Sequence, residues 1–194
     1  MKLLFAGALL AAAIASPALA QTDPGDVPNK PKPAKAEAPA AGPEATVYDN
    51  ALGPGWENWS WAATELSVDT GTARKPIRVE AKGYQGLYLR HAPFSTAPYR
   101  GISMLIQVVG GEAEVRVIAI ADGKPIPDPA KPAQNNEPTP RMKLVALKPG
   151  GWTKVVVPLD TLGAKDRTID GFWVQNNSGA DAPKFYVADV QLMP

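Results

Sequence analysis

Cysteine is absent from the 194 residues, and histidine occurs once, as His91. Without cysteine there is no disulfide, no thiolate metal centre and no lipidated thiol behind a leader. With a single imidazole, three-histidine copper and zinc sites are excluded. Charge of one sign is missing as well. From Glu44 to Pro194 there are sixteen basic and sixteen acidic residues, and no run of like charge exceeds two. That is poor material for neutralising phosphates, so nucleic acid is not an expected partner. There is no P-loop, dinucleotide fingerprint, EF-hand loop or G-x-S-x-G nucleophile elbow. No spacing singles out a pair of facing carboxylates of the kind glycosidases use.

One long apolar run exists, and it lies at the start. "MKLLFAGALLAAAIASPALA" carries one positive charge at Lys2, then an apolar stretch, then a small-x-small ending at Ala18-Leu19-Ala20. It reads as a signal peptide over residues 1–20, too short and wrongly flanked for a membrane span. The expected location is therefore periplasmic or extracellular, with no transmembrane segment in the mature chain. Residues 21–44 are rich in Pro, Ala and Lys and poor in anything that could form a core, which predicts a flexible linker. The folded domain is expected over residues 45–194.

There the hydrophobic period is two. "PIRVE" (Pro76 to Glu80), "GLYLRH" (Gly86 to His91), "ISMLIQVV" (Ile102 to Val109), "EVRVIAIA" (Glu114 to Ala121), "WTKVVV" (Trp152 to Val157), "IDGFWVQN" (Ile169 to Asn176) and "KFYVADVQL" (Lys184 to Leu192) read as strands. The fold class is all-β: a two-sheet antiparallel sandwich with jelly-roll topology. "PLDTLG" (Pro158 to Gly163) has room for a helical turn. Asp122 to Pro140 holds six prolines and no strand pattern. It is a long surface loop, either disordered or rimming a binding face with the neutral donors and acceptors of Gln134, Asn135 and Asn136.

Three of the five tryptophans crowd into "GWENWSWA", Gly55 to Ala62. In a strand Trp59 and Trp61 share a side, and Trp56 falls in the preceding loop or at the strand edge. The pair serves either as a wedge between sheets or as an exposed platform, with at least one of the two expected in the core. Tyr88 and Arg90 share one side of their strand, opposite Leu87, Leu89 and His91, and Tyr84 can reach the same surface. His91 is expected as a hydrogen-bonded core or edge residue. If Phe172 and Val174 face the core, Trp173 and Gln175 look outward together; the reverse arrangement buries Trp173. An aromatic plate beside an amide suits a sugar, whose apolar face lies on the ring while its hydroxyls meet the amide. Calcium is the cofactor the sequence leaves room for, on Asp49 near the first strand and Asp189 in the last, as a structural staple in a chain without disulfides.

"VYDNALGPGWENWSWA" (Val47 to Ala62), "GLYLRH", "IDGFWVQNNSG" (Ile169 to Gly179) and "KFYVADVQL" together resemble a bacterial carbohydrate-binding-module-like domain of the galactose-binding β-sandwich superfamily. The resemblance spans roughly Ala45 to Pro194. It implies a jelly roll without catalysis that binds a glycan or polysaccharide. Relatives often end in a doubled aspartate; here Ala188 stands in the first place and Asp189 in the second. On this reading Trp59, Trp61, Tyr88 and Trp173 stack on sugar rings, while Arg90, Gln175 and Asn176 supply polar contacts. Two other readings stay open. One is an envelope protein-protein interaction or structural domain, which would show a flat apolar patch. The other is a polysaccharide-acting hydrolase, which would show two carboxylates across a groove.

Overall fold

The computed structural model describes residues 42–194. The signal-peptide assignment, 1–20, and nearly all of the linker assignment, 21–44, lie outside the described residues.

A short 3-10 turn, Pro43–Ala45, leads into twelve strands. They are Thr46–Tyr48 (β1), Trp56–Asn58 (β2), Ala63–Glu65 (β3), Ile77–Glu80 (β4), Gly86–Ser95 (β5), Gly101–Val108 (β6), Ala113–Ala121 (β7), Lys124–Pro125 (β8), Lys143–Leu147 (β9), Thr153–Pro158 (β10), Thr168–Asn176 (β11) and Phe185–Met193 (β12). One sheet runs β10-β6-β12-β4-β3, with β1 also on β12; the other runs β2-β5-β11-β7-β8, with β9 also on β7. Every strand pairing in both sheets is antiparallel. This is the all-β, jelly-roll-like sandwich expected from the period-two pattern. The first and last strands pair, Thr46 opposite Gln191 and Tyr48 opposite Val190.

Side chains from the two facing surfaces make one core. Leu87 and Leu89 of β5, Val117 of β7, and Phe172 and Val174 of β11 meet Val79 of β4, Ile106 of β6, and Phe185 and Val187 of β12. Each comes from an alternating run, so each strand's other side is left for the outer surface. On β12 a bulge between Ala188 and Gln191 interrupts the pairing to β6, and Asp189 takes a left-handed conformation there. "ISMLIQVV" is central, as expected, held between β10 and β12.

Two expected features take a different local form. "PLDTLG" is a run of tight turns: Thr161, Leu162 and Gly163 donate to the carbonyls of Pro158, Leu159 and Asp160. The Pro-rich loop contains β8 and two isolated bridges, Pro127 to Pro140 and Gln134 to Glu137. Ile126 and Thr139 are buried at its roots, while residues 131–138 are exposed.

Candidate functional site

The outer surface of the β2-β5-β11-β7 sheet carries the aromatic residues. Parity puts them there. On β2 Trp56 turns into the core, so Glu57 turns out. The chain continues along β5 past the end of β2, with Trp59 N–H donating to Tyr88 O at 2.9 Å and Trp61 N–H to Gly86 O at 3.3 Å. Glu57, Trp59 and Trp61 therefore keep to the outer side. On β5 and β11, Tyr88 lies directly opposite Trp173, and Trp173 is flanked on its other side by Ile118 of β7.

Trp56 stands at the strand edge, one of its two expected places, as the first residue of β2. Its ring is the core wedge, 4% exposed, packed on His91, Phe94 and Phe172 with ring centroids 5.1, 5.7 and 6.4 Å away. Its indole N–H donates to Glu44 O at 3.1 Å. The expectation for the other two needs correction. Neither Trp59 nor Trp61 is in the core; they are 55% and 38% exposed. One core anchor is enough at this edge, and Trp56 fills it.

The rings form a chain of edge-to-face contacts. Trp59 to Tyr88 is 6.4 Å at 77°, Tyr88 to Trp173 is 5.9 Å at 77°, and Trp173 to Trp61 is 4.9 Å at 67°. Such pairs contribute about 0.5–1.5 kcal/mol each beyond their area. Tyr88 and Trp173 are the lower course. With Ile118, Ile120 and Met142 they make a small second core on the outer side of the sheet. Trp59 and Trp61 are the upper course, resting on it and open to solvent. Tyr88 thus supports the surface more than it forms it.

Polar groups fix Trp59, Trp61 and Tyr88, while the Trp173 indole N–H is buried without a hydrogen-bond partner. One carboxylate oxygen of Glu57 accepts from the indole N–H of Trp59 at 2.7 Å and from the Arg90 guanidinium at 3.3 Å. The guanidinium lies over the Trp59 ring, 4.1 Å from its centroid. The Tyr88 hydroxyl donates to Asp170 Oδ1 at 3.2 Å, and the N–H of Gly123 donates to Asp170 Oδ2 at 2.6 Å. Asp170 reaches this side because a bulge between Ile169 and Gly171 reverses the alternation, Ile169 being in the core. Gly171 leaves room for the arrangement: a Cβ there would stand 2.8 Å from the Tyr88 ring. Burial first, and the Asp170 carboxylate second, push the Tyr88 phenol well above its ordinary value.

At the other end, the carbonyl of Tyr84 accepts from the indole N–H of Trp61 at 3.1 Å and from the Gln175 amide at 2.6 Å. Gln175 is 7% exposed, and its oxygen accepts from Arg116 Nε at 2.7 Å. Burial lowers the Arg116 pKa from its ordinary value. Its guanidinium stands 5.8 Å from the exposed Tyr84 ring. Gln175 is thus a strut, and Arg116 occupies the rim position beside it.

The remaining named residues lie elsewhere. Asn176 is 1% exposed; its amide donates to Lys82 O and Ala180 O and its oxygen accepts from Ser178 N–H, so it braces a loop instead of facing a ligand. Asp189 pairs with Arg74 Nε at 3.1 Å, and Asp49 is exposed. Among the described residues no group of three or more His, Cys, Asp or Glu side chains converges. His91 is an edge residue, its ring between Trp56 and Phe94 and its Nδ1 2.6 Å from Ala92 O.

Arg116, and the anchoring role of Glu57, escaped the sequence reading. A signal for both existed. Glu57 has the same parity as Trp59 and Trp61. Arg116 shares its parity on β7 with Ile118 and Ile120, the apolar residues that need a cover on the outer side.

No protein-family profile matches the chain, and no curated protein matches it. Solved structures similar to it include a family 29 carbohydrate-binding module variant complexed with mannohexaose, at 12% identity over 75% of this chain and 87% of that one, TM-score 0.48. Another variant of that module, complexed with cellulohexaose, is 14% identical over 75% and 86%, TM-score 0.47. A family 11 carbohydrate-binding module of a cellulosomal cellulase of Clostridium thermocellum is 15% identical over 76% and 92%, TM-score 0.49. No residue role carries across at these values.

Proposed function

We propose that the outer aromatic surface binds a glycan or polysaccharide without catalysing its cleavage. The observation that carries this reading is the pair Trp59 and Trp61, open to water on one side of one sheet and held from beneath by Tyr88 and Trp173. Exposed rings in a contiguous patch with a polar rim mark an interaction surface. Here the rings are already oriented, so little ordering cost falls on binding. Arg90 and Arg116 offer N–H donors at the two ends for sugar hydroxyls. Glu57 and Asp170, the carboxylates that touch these rings, are both engaged in holding them, which favours binding over hydrolysis.

The leader expected over residues 1–20 would carry the protein to polysaccharide outside the cytoplasm. Pull-down on insoluble polysaccharides, followed by tryptophan fluorescence with soluble oligomers, tests the reading. No binding across neutral glucans, mannans and xylans would favour a protein partner from the envelope. Calcium is a separate proposal. Since Asp189 already carries Arg74, a site there would draw on backbone carbonyls as well as on Asp49, and melting with added calcium against chelator decides it.

A further inference from the structure

Beyond Gly123, which donates to Asp170 in the aromatic site, the Pro-rich stretch 122–140 meets the turns of "PLDTLG" at residues that take no part in that site. Together they wall a cleft of about 420 Å³, within the ~300–1,000 Å³ usual for small-molecule sites. Ile126, Pro127 and Pro129 form an apolar wall, and Arg141, Lys165 and Arg167 line the rest with Asp160. Among the described residues, none of these three cations has a carboxylate within ion-pair distance. In a domain whose charges balance as a whole, the cleft concentrates positive charge.

The two arginines are also placed. Arg141 Nη1 approaches Asp160 O at 3.5 Å, and Arg167 Nη1 donates to Gly163 O at 3.2 Å. Both guanidiniums are thus tethered to one turn by neutral oxygens, with their other N–H groups left over. Gly163 takes φ +66°, and a Cβ there would stand 2.7 Å from Arg141 Cδ, so glycine lets the arginine stem cross the turn. The fully buried Thr96 pins the next segment, its hydroxyl donating to Ala164 O at 2.6 Å and accepting from Arg167 N–H at 3.0 Å. The proline wall is pinned through Asp128 N–H to Thr139 O at 2.7 Å and Arg141 N–H to Ile126 O at 2.8 Å.

We propose that this cleft is a second binding site, selective for an acidic sugar residue. Its carboxylate or sulfate ester sits on the guanidiniums of Arg141 and Arg167 and the ammonium of Lys165. Planar guanidiniums pair with such oxyanions through two parallel N–H bonds. The C–H face of the sugar ring lies on Pro127 and Pro129, and Asp160 accepts from a hydroxyl. Three cations beside an acid are too few for a phosphate backbone, and the apolar wall suits a ring.

Calorimetry on the folded protein tests this with trigalacturonate, a sulfated disaccharide and a neutral cello-oligosaccharide, at low and high salt. The cleft is expected to bind at least one acidic ligand, more weakly in high salt; which one binds identifies the group recognised. Arg141→Gln with Arg167→Gln should lower that affinity at least tenfold, and Trp59→Ala with Trp61→Ala should leave it unchanged. The exposed Arg167→Gln alone, expected to lose several-fold, serves if the double variant fails to fold. No binding of either acidic ligand, binding no stronger than that of the neutral oligomer, or loss of it in the tryptophan variant would overturn the proposal. Failure of neutral glycans to bind the aromatic surface would leave it standing.

Discussion

Trp56 and Trp59 lie three residues apart and face opposite sides of one sheet, the first 4% exposed and the second 55%. One short stretch therefore supplies both a core anchor and a surface ring, and the two should respond differently to truncation. Trp56→Ala removes a buried indole from contact with Phe94 and Phe172 and should cost about 3–5 kcal/mol. Trp59→Ala should cost under about 1 kcal/mol. Urea unfolding measures both. Equal losses would mean that Trp59 is structural.

Glu57 orients Trp59 and Arg90 through one carboxylate oxygen. Glu57→Ala should leave the melting temperature nearly unchanged, since half-exposed ion pairs of this kind contribute little. It should still weaken glycan binding several-fold, because the indole must then be ordered on binding. Unchanged affinity would show that Trp59 needs no anchor.

Tyr88 carries a pH signature. Its phenol is raised by burial and by Asp170, so the fold holds the neutral form. The resulting stability is fully present below the unfolded value near ~10 and is lost as pH climbs from there through the folded value. Tyr88→Phe should cost about 1–3 kcal/mol at neutral pH by leaving a buried Asp170 oxygen without its donor. It should also flatten the alkaline loss. Tyr99, raised chiefly by burial as well, keeps some slope in the variant. An alkaline profile identical to that of the parent would contradict the assignment.

Gln175 joins Arg116 to the Tyr84 carbonyl that also receives Trp61. Gln175→Ala should cost about 1–3 kcal/mol and should loosen the Trp61 end. Steady-state anisotropy of the tryptophans should fall. A variant with full stability and unchanged anisotropy would show that the strut is dispensable.

Much of this was legible in the chain because alternation is a local property. Leu87, Leu89, Phe172 and Val174 declare the core side of their strands, and Tyr88, Arg90, Trp173 and Gln175 follow on the other. Trp56 could have been placed the same way, since it differs in parity from Trp59 and Trp61. What parity cannot give is depth. Tyr88 and Trp59 share a side, yet one is buried because Trp59, Trp173 and Asp170 close over it. The bulge that brings Asp170 outward is a register event between strands, and single-strand patterns do not carry it. Short strands such as β1 and β3, with three residues each, offer too few positions for a period. The packing of Met142 on the outer cluster depends on where a long loop returns.

The most direct measurement is affinity electrophoresis of the parent protein and of Trp59→Ala with Trp61→Ala through gels containing neutral polysaccharides. Under the glycan-binding proposal at least one polysaccharide should retard the parent, and the paired variant should run about as fast as in a blank gel, with unchanged circular dichroism. Equal retardation of both proteins, or none of the parent on any neutral polysaccharide, would contradict it.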